Sequence, residues 1–457
     1  MLHDDDPVTT AAADPATYVW HDPIVYRRLH EESAAAWLGT IDFLRESEAV
    51  DESLLDEAEA LVASAEALDP DVFSATWVHP LCFGWSFALY EAAEQRNEPR
   101  LAQALHRMHL VAAASALARG DGVEFRHPVP LAKHAVLPGL PAVLEVEPGG
   151  LLAGVAGHEL LLVRGDQHAR LDSRKAGTAL GVTLRPRHRV GVGRLAVDLL
   201  PEAFFGAETG MGDSADALGD AAFHALHAPL VNDAFALVQQ HQASTFDQMV
   251  QHLRVVGLKD FDTGEYTNVS VSEAPGAFVA SVYEHPYEMA DIFIHEMHHN
   301  RLFALENVEP LLDLGDPWLG YSPWRNDPRP LRGLLHAVYV FLPVARYWDA
   351  VLGAGGLDDD LTAYARDQVV RTALQLRTAF TTLDTNAGWT AHGSIVRPVL
   401  EAGVIASEAR AEMHELSRAT PAWRIDKTGR LTHDPEGTVG ASVDAHRARY
   451  EATYGVR

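Results

Sequence analysis

The chain has 457 residues, 47% of them hydrophobic, which suffices for two or three domains, or one large body with an appended domain, and gives no compositional case for disorder. Lys and Arg number 36 against 64 Asp and Glu, a net charge of −28, so the surface repels phosphate backbones and no nucleic-acid partner is expected. The only short Arg-rich stretch, around Arg185 and Arg187, reads as a solvated strand end.

The single cysteine, Cys82, excludes internal disulfides and any cysteine-ligated iron–sulfur cluster built by this chain alone, and it suits a reducing compartment. Asp4, Asp5 and Asp6 stand where a secretory signal would be basic, and no apolar run reaches membrane-span length. The expectation is a cytoplasmic protein without a membrane partner.

Residues 1–17 are polar and rich in Ala and Asp, the composition of a loose arm. Helical spacing then dominates to about residue 140: Asp51 opens a segment with Leu54, Leu55, Leu61 and Val62 on one face, and Leu101, Leu105, Met108 and Val111 mark another. Between 141 and 200 the pattern changes to short β-type runs, Val143–Glu147, Glu159–Val163 and Arg189–Val197, separated by turn residues, which predicts a small antiparallel sheet. Gly191 and Gly193 lack the third glycine of a dinucleotide fingerprint and read as a bulged strand. Helices return over 201–415, the expected catalytic part, after which 416–457 is polar and reads as peripheral. The predicted class is α+β, mainly α, with the catalytic helix packed on a short sheet in a zincin-like way.

A β-like run from Ala277 to Tyr283 leads into that helix, for which Pro286 suits the first turn and Glu288 the positive end of the dipole. The helix reads as far as about Glu306, before Pro310 forbids continuation. On it lies His295-Glu296-Met297-His298-His299. Residues four apart share a helix face, so the imidazoles of His295 and His299 stand one turn apart and can grip one ion. Glu296 is near enough to touch a metal-bound water or oxygen species, and His298 reads as a flanking residue.

A third ligand is needed, and the sequence leaves it open. His336, in the apolar helical run Gly333–Phe341, is the leading candidate, against its alternative as a satisfied core histidine. Glu306, two turns beyond His299, and Glu309 are nearer in sequence, and His392 is an outsider. A connector stiffened by Pro323, Pro328 and Pro330 carries Arg325, Arg329 and Arg332. In so acidic a chain, three guanidiniums just before a candidate ligand helix suggest either carboxylate recognition or ion pairs with local acids.

The run His295-Glu-Met-His-His-Asn, followed by Tyr321-Ser-Pro-Trp-Arg-Asn-Asp-Pro-Arg-Pro-Leu and Gly333-Leu-Leu-His-Ala-Val-Tyr, resembles the actinobacterial His-Glu-Xaa-Xaa-His peptide-modification proteins. The resemblance is specific over about residues 280–350, looser to about 410, and says little of residues 1–200. Some of that family are iron(II)- and 2-oxoglutarate-dependent peptide β-hydroxylases acting on ribosomally made precursor peptides. The resemblance implies that His295 and His299 ligate iron, that 2-oxoglutarate chelates it, and that Arg325, Arg329 or Arg332 binds the distal carboxylate. With O2, a hydrogen would then be abstracted from a side-chain β-carbon, and Glu296 would orient the site instead of acting as a hydrolytic base. This departs from the familiar iron site of two His and one carboxylate, in which the acid is itself a ligand. Some relatives are fused to a radical-enzyme module with clustered cysteines; with Cys82 alone here, such a partner would be a separate protein.

Two other functions compete. In a zinc metallopeptidase, Glu296 would take a proton from the metal-bound water. Against it, no glutamate stands where common peptidases place their third ligand, and neither a Gly-then-His extension nor a Met-turn follows His299. A non-catalytic accessory protein would use the N-terminal half to capture a leader peptide.

Overall fold

A computed structural model describes residues 15–20, 37–45, 50–65, 68–77, 79–131, 134–140, 142–201, 221–259, 268–313, 315, 318–425 and 430–455. The fold is α+β and mainly α, as its sequence predicts. Of the arm expected over residues 1–17, residues 1–14 lie outside the described residues, while Pro15–Trp20 forms a short helix.

The first half pairs helices with antiparallel sheets. Helices 37–45, Glu52–Ala65, Pro80–Glu94 and Glu98–Arg119 come first. Asp51 precedes the second of these and caps it, its carboxylate accepting from the Ser53 backbone N–H at 2.8 Å. The β section begins at Gly122, earlier than residue 141. Its strands are β1 (Gly122–Pro130), β2 (His134–Val136), β3 (Ala142–Val146), β4 (Leu151–Ala156), β5 (Glu159–Arg164), β6 (Gln167–Asp172), β7 (Gly177–Ala179) and β8 (Val182–Pro186). They make two four-stranded antiparallel sheets, ordered β1-β4-β5-β6 and β2-β3-β8-β7.

A third sheet joins the two halves. Its strands, β9 (Arg189–Val190), β10 (Val197–Pro201), β11 (Val255–Lys259) and β12 (Ala277–Ser281), run in the order β12-β11-β10-β9. The β10–β11 and β11–β12 pairs are parallel and β9–β10 antiparallel, so this sheet is mixed, whereas the strand pairs within residues 141–200 are antiparallel as expected. Because strand side chains alternate in direction, it serves two cores. Leu199, Val256 and Phe278, in register, enter the core of the motif-bearing half; Leu200, Val255 and Ala277 enter the core of the N-terminal half.

Two local features differ from what the sequence leads one to expect. Gly191 and Gly193 form the turn between β9 and β10, not a bulge: a Cβ on Gly191 would lie 2.0 Å from the Leu195 carbonyl oxygen, and Gly193 has φ +57°. Arg187 is not solvated. It is buried against Asp198 at 3.0 Å, while Arg185 stays exposed and pairs with Glu145 at 2.8 Å. Asp198, on the strand next to the sheet edge, supplies the counter-charge that a short basic stretch gives no hint of.

The motif helix spans Pro286–Val308, with Pro286 at its first turn. Phe293 is fully buried between Phe235 and Phe278, with ring centroids 4.7 and 5.5 Å away, so the helix seats on β12 and on helix Ala221–His241. Burial of such a ring stabilises by about 1.5–3 kcal/mol. Its partner helix, Leu331–Ala354, lies alongside, followed by helices Asp359–Asn386 and Ala391–Met413.

The C-terminal segment is not peripheral. A hairpin of Pro421–Ile425 with Leu431–Thr438 leads to helix Val439–Tyr454, and Ala422, Trp423 and Val439 enter the same core as the motif helix. Arg371 and Asp367, which accepts from the Trp423 N–H at 3.0 Å, tie it down. Among the described residues no helix is long and apolar enough to cross a membrane.

Candidate functional site

One stripe of the motif helix is left partly open to solvent: Asp291, His295, His299, Phe303 and Glu306, spaced four, four, four and three residues apart. The rest of the helix from Met289 to Leu305 is buried apart from Ile292. The spacing of a helix face therefore decides which histidines reach the partly exposed side.

His295 and His299 converge. Their Nε2 atoms lie 3.2 Å apart, with ring centroids 4.8 Å apart at 70°. Two imidazole nitrogens bound to one ion at about 2.0–2.1 Å stand at about this separation. Burial holds both rings neutral, as metal ligation requires: His295 is pushed down to about 4 by burial and then by His336, and His299 well below its usual value by burial and the neighbouring His295, His336 and His298.

His336 arrives from the partner helix, yet not at that convergence point. Its Nδ1 meets His299 Nδ1 at 3.1 Å, on the far side of the His299 ring from His295. Its other nitrogen, Nε2, lies 3.1 Å from Glu306 Oε2. Glu306 in turn accepts from Arg332: Nε at 3.0 Å on Oε1 and a terminal nitrogen at 2.7 Å on Oε2. Burial alone would raise the Glu306 carboxyl, but His336 and Arg332 together outweigh it and hold the group below its usual range.

An ionised Glu306 accepts from His336 Nε2; in the neutral tautomer of His336 that this bond selects, Nδ1 accepts from His299 Nδ1, and the lone pair of His299 Nε2 then faces the His295 ring. As arranged, His336 and Glu306 orient a ligand instead of adding one, the usual role of groups behind a metal-binding His. Among the described residues no three His, Cys, Asp or Glu side chains are grouped as a metal cage. The pair thus fits a single ion by distance and protonation, and the trio, as set, does not.

The remaining candidates fall elsewhere. His298 is buried; its Nδ1 donates to the Ile294 carbonyl at 2.7 Å, and its ring sits edge-on to Trp20 at 6.1 Å. Glu309 is exposed past the helix end, and the buried His392 donates to its backbone oxygen at 2.9 Å. Arg325 and Arg329 share Asp327, each at 3.3 Å, across a loop that a two-residue strand pair, Leu319–Gly320 with Arg329–Pro330, closes. Of the three arginines only Arg332 reaches the histidine file.

Glu296 is buried, with Oε1 4.0 Å from His295 Nε2 and Oε2 accepting from Ser270 Oγ at 2.8 Å. Burial pushes its carboxyl up to about 8, against the Ser270 bond. Ser270 lies before β12, and no sequence signal connects it to the motif. Phe341 is the other contact missed: its ring packs on His295 at 4.7 Å and is stacked by Trp324 at 4.4 Å, so the arginine-bearing loop contributes an aromatic wall to the site.

No protein-family model matches the chain, and no curated protein sequence matches it either.

Proposed function

We propose that this chain is a mononuclear metal enzyme in which His295 and His299 are the protein's paired ligands, and that it hydroxylates the β-carbon of a residue in a ribosomally made precursor peptide. The observation that carries the metal assignment is the 3.2 Å approach of the two Nε2 atoms on a partly exposed stripe of the motif helix. The choice of reaction rests on the resemblance over residues 280–350. Bound iron(II), with 2-oxoglutarate and O2, supplies the oxidant, and the balance is peptide C–H, 2-oxoglutarate and O2 giving peptide C–OH, succinate and CO2.

The chain's own residues divide the remaining work. His336 and Glu306 hold His299 with its Nε2 lone pair outward, and Arg332 fixes Glu306. Phe341 and Trp324 form a wall that keeps water from one side of His295. With Arg332 engaged on Glu306, the distal carboxylate of 2-oxoglutarate falls to Arg325 and Arg329, which share a single acid.

A zinc peptidase is the second reading, and Glu296 supports it: its Oε1 stands 4.0 Å from His295 Nε2, within reach of a ligand on the same ion. Incubation with iron(II), 2-oxoglutarate, O2 and the precursor peptide separates the readings. Oxygen-dependent succinate with a 16 Da gain on the peptide (about one oxygen atom) supports the hydroxylase. Metal-dependent cleavage without succinate overturns it in favour of the peptidase, and neither product points to the accessory role.

A further inference from the structure

An open-mouthed cavity lies away from the histidine pair, between the partner helix, helix Ala391–Met413 and the short helix Pro15–Trp20. It offers about 590 Å³ and is lined by Leu342, Val399, Ala402 and Ala406 together with Arg346 and Arg410. That is the size of a small-molecule site.

The two arginines differ. Arg410 has a counter-charge, with Nε 3.2 Å from Asp349, an acid that also takes His414 at 2.9 Å. Arg346 has none among the described residues. Its Nε is shielded from solvent with no hydrogen-bond acceptor, and its guanidinium lies over the Trp20 indole, 4.7 Å from the ring centroid. Burial, and then the charge of Arg410, bring Arg346 down to about 10, which is the mark of a cation desolvated beside a like charge.

Arg346 is partly exposed through its terminal nitrogens, but leaving its buried Nε–H without an acceptor is costly, and an anion bound beside it removes the cost. Trp20 does not move to relieve it, because its short helix is pinned: Tyr339 donates to the Val19 carbonyl at 2.7 Å and Gln248 to the Trp20 carbonyl at 2.7 Å. The guanidinium is planar and two-pronged, which matches a carboxylate, and the wall beyond it is aliphatic.

We propose that this cavity binds a small amphipathic carboxylic acid, its carboxylate on Arg346 and its hydrocarbon part against Leu342, Val399 and Ala406. The inference is independent of the metal site.

The test uses 4-phenylbutyrate and its uncharged amide as probes, titrated by calorimetry into the full-length protein. The acid binds and the amide binds at least about tenfold more weakly, the discrimination expected of one charge-assisted contact. Arg346→Met, which keeps the volume of the stem, weakens the acid by about tenfold or more and leaves the amide unchanged. Ala406→Phe fills the cavity and weakens both. Circular dichroism melting checks the fold of Arg346→Met, which is expected to melt no lower than the wild type because the substitution removes the unpaired Nε–H. Absence of binding by the acid at millimolar concentration, equal binding of acid and amide, or unchanged affinity in Arg346→Met would each overturn the proposal.

Discussion

Two faces of one helix carry the same residue types to opposite ends. His298 and His299 are neighbours in sequence, yet His298 is closed by a bond to its own helix and walled by Trp20, while His299 lies on the partly exposed face with one nitrogen aimed at His295 and the other at His336. On the buried face Asn300 satisfies three backbone groups at once, taking the Gly276 N–H at 2.7 Å and giving to the Ala277 and Glu296 carbonyls at 3.2 and 3.1 Å. On the open face the polar atoms satisfy one another in a file and still leave a pair of nitrogens converging. The difference teaches that a polar group's role follows from where its hydrogen bonds end: bonds that close locally hold the fold, and bonds that run outward prepare a site.

Substitutions along the helix sharpen this contrast. The largest effect is expected from His299→Ala or His295→Ala, either of which removes half of the protein's grip on the ion. Metal retained after dialysis should fall to background, and turnover by at least about a hundredfold. Glu306→Gln comes next: without a carboxylate to fix His336, the tautomer of His299 is no longer held, and metal affinity should drop by about tenfold to a hundredfold, read by competition with a chromogenic chelator.

On the opposite face the effect should move from function to stability. His298→Ala should cost about 1–3 kcal/mol, from the lost bond to Ile294 and the emptied contact with Trp20, while metal affinity stays within about threefold. Loss of metal without loss of stability in this variant would break the two-face account.

Glu288 sharpens the contrast by pH. Its buried carboxyl has both oxygens without a hydrogen-bond partner, and burial, with Asp291 and Glu284 nearby, pushes it up to about 8. The folded chain therefore keeps a proton that the unfolded chain releases at ordinary carboxyl values. Stability from this group is full below about 4.5, falls as pH rises, and is lost above about 8. Glu288→Gln should flatten the decline of melting temperature between those limits in part, with Asp291, raised by burial to about 7, and Glu296, raised to about 8, contributing the slope that remains. The smallest effect belongs to the connector. Arg332→Met should weaken metal binding through Glu306, whereas Arg325→Met and Arg329→Met should leave metal binding unchanged and raise the 2-oxoglutarate requirement.

Much of this was legible in the sequence where one element's periodicity decides. Four-residue spacing placed His295 and His299 together, and Pro286 and Pro310 bracketed their helix. Pairings between elements were not legible. His336 was expected as a ligand from its apolar run, but the crossing of two helices sets which nitrogen faces His299, and no periodicity encodes that. Glu306 stands two turns beyond His299, too far to share its ion directly, and His336 bridges the gap. Ser270, Trp20 and Phe341 reach the site or its surroundings from distant segments. Arg187 looked solvated because the acid that buries it, Asp198, belongs to another strand.

The central claim is that the two Nε2 atoms hold one ion. The most direct measurement is anaerobic titration of iron(II) into the metal-free protein and its His299→Ala variant, with bound metal counted by elemental analysis. The account predicts one iron per wild-type chain and none on the variant. An unloaded wild-type chain, or a variant that binds iron equally well, would contradict it.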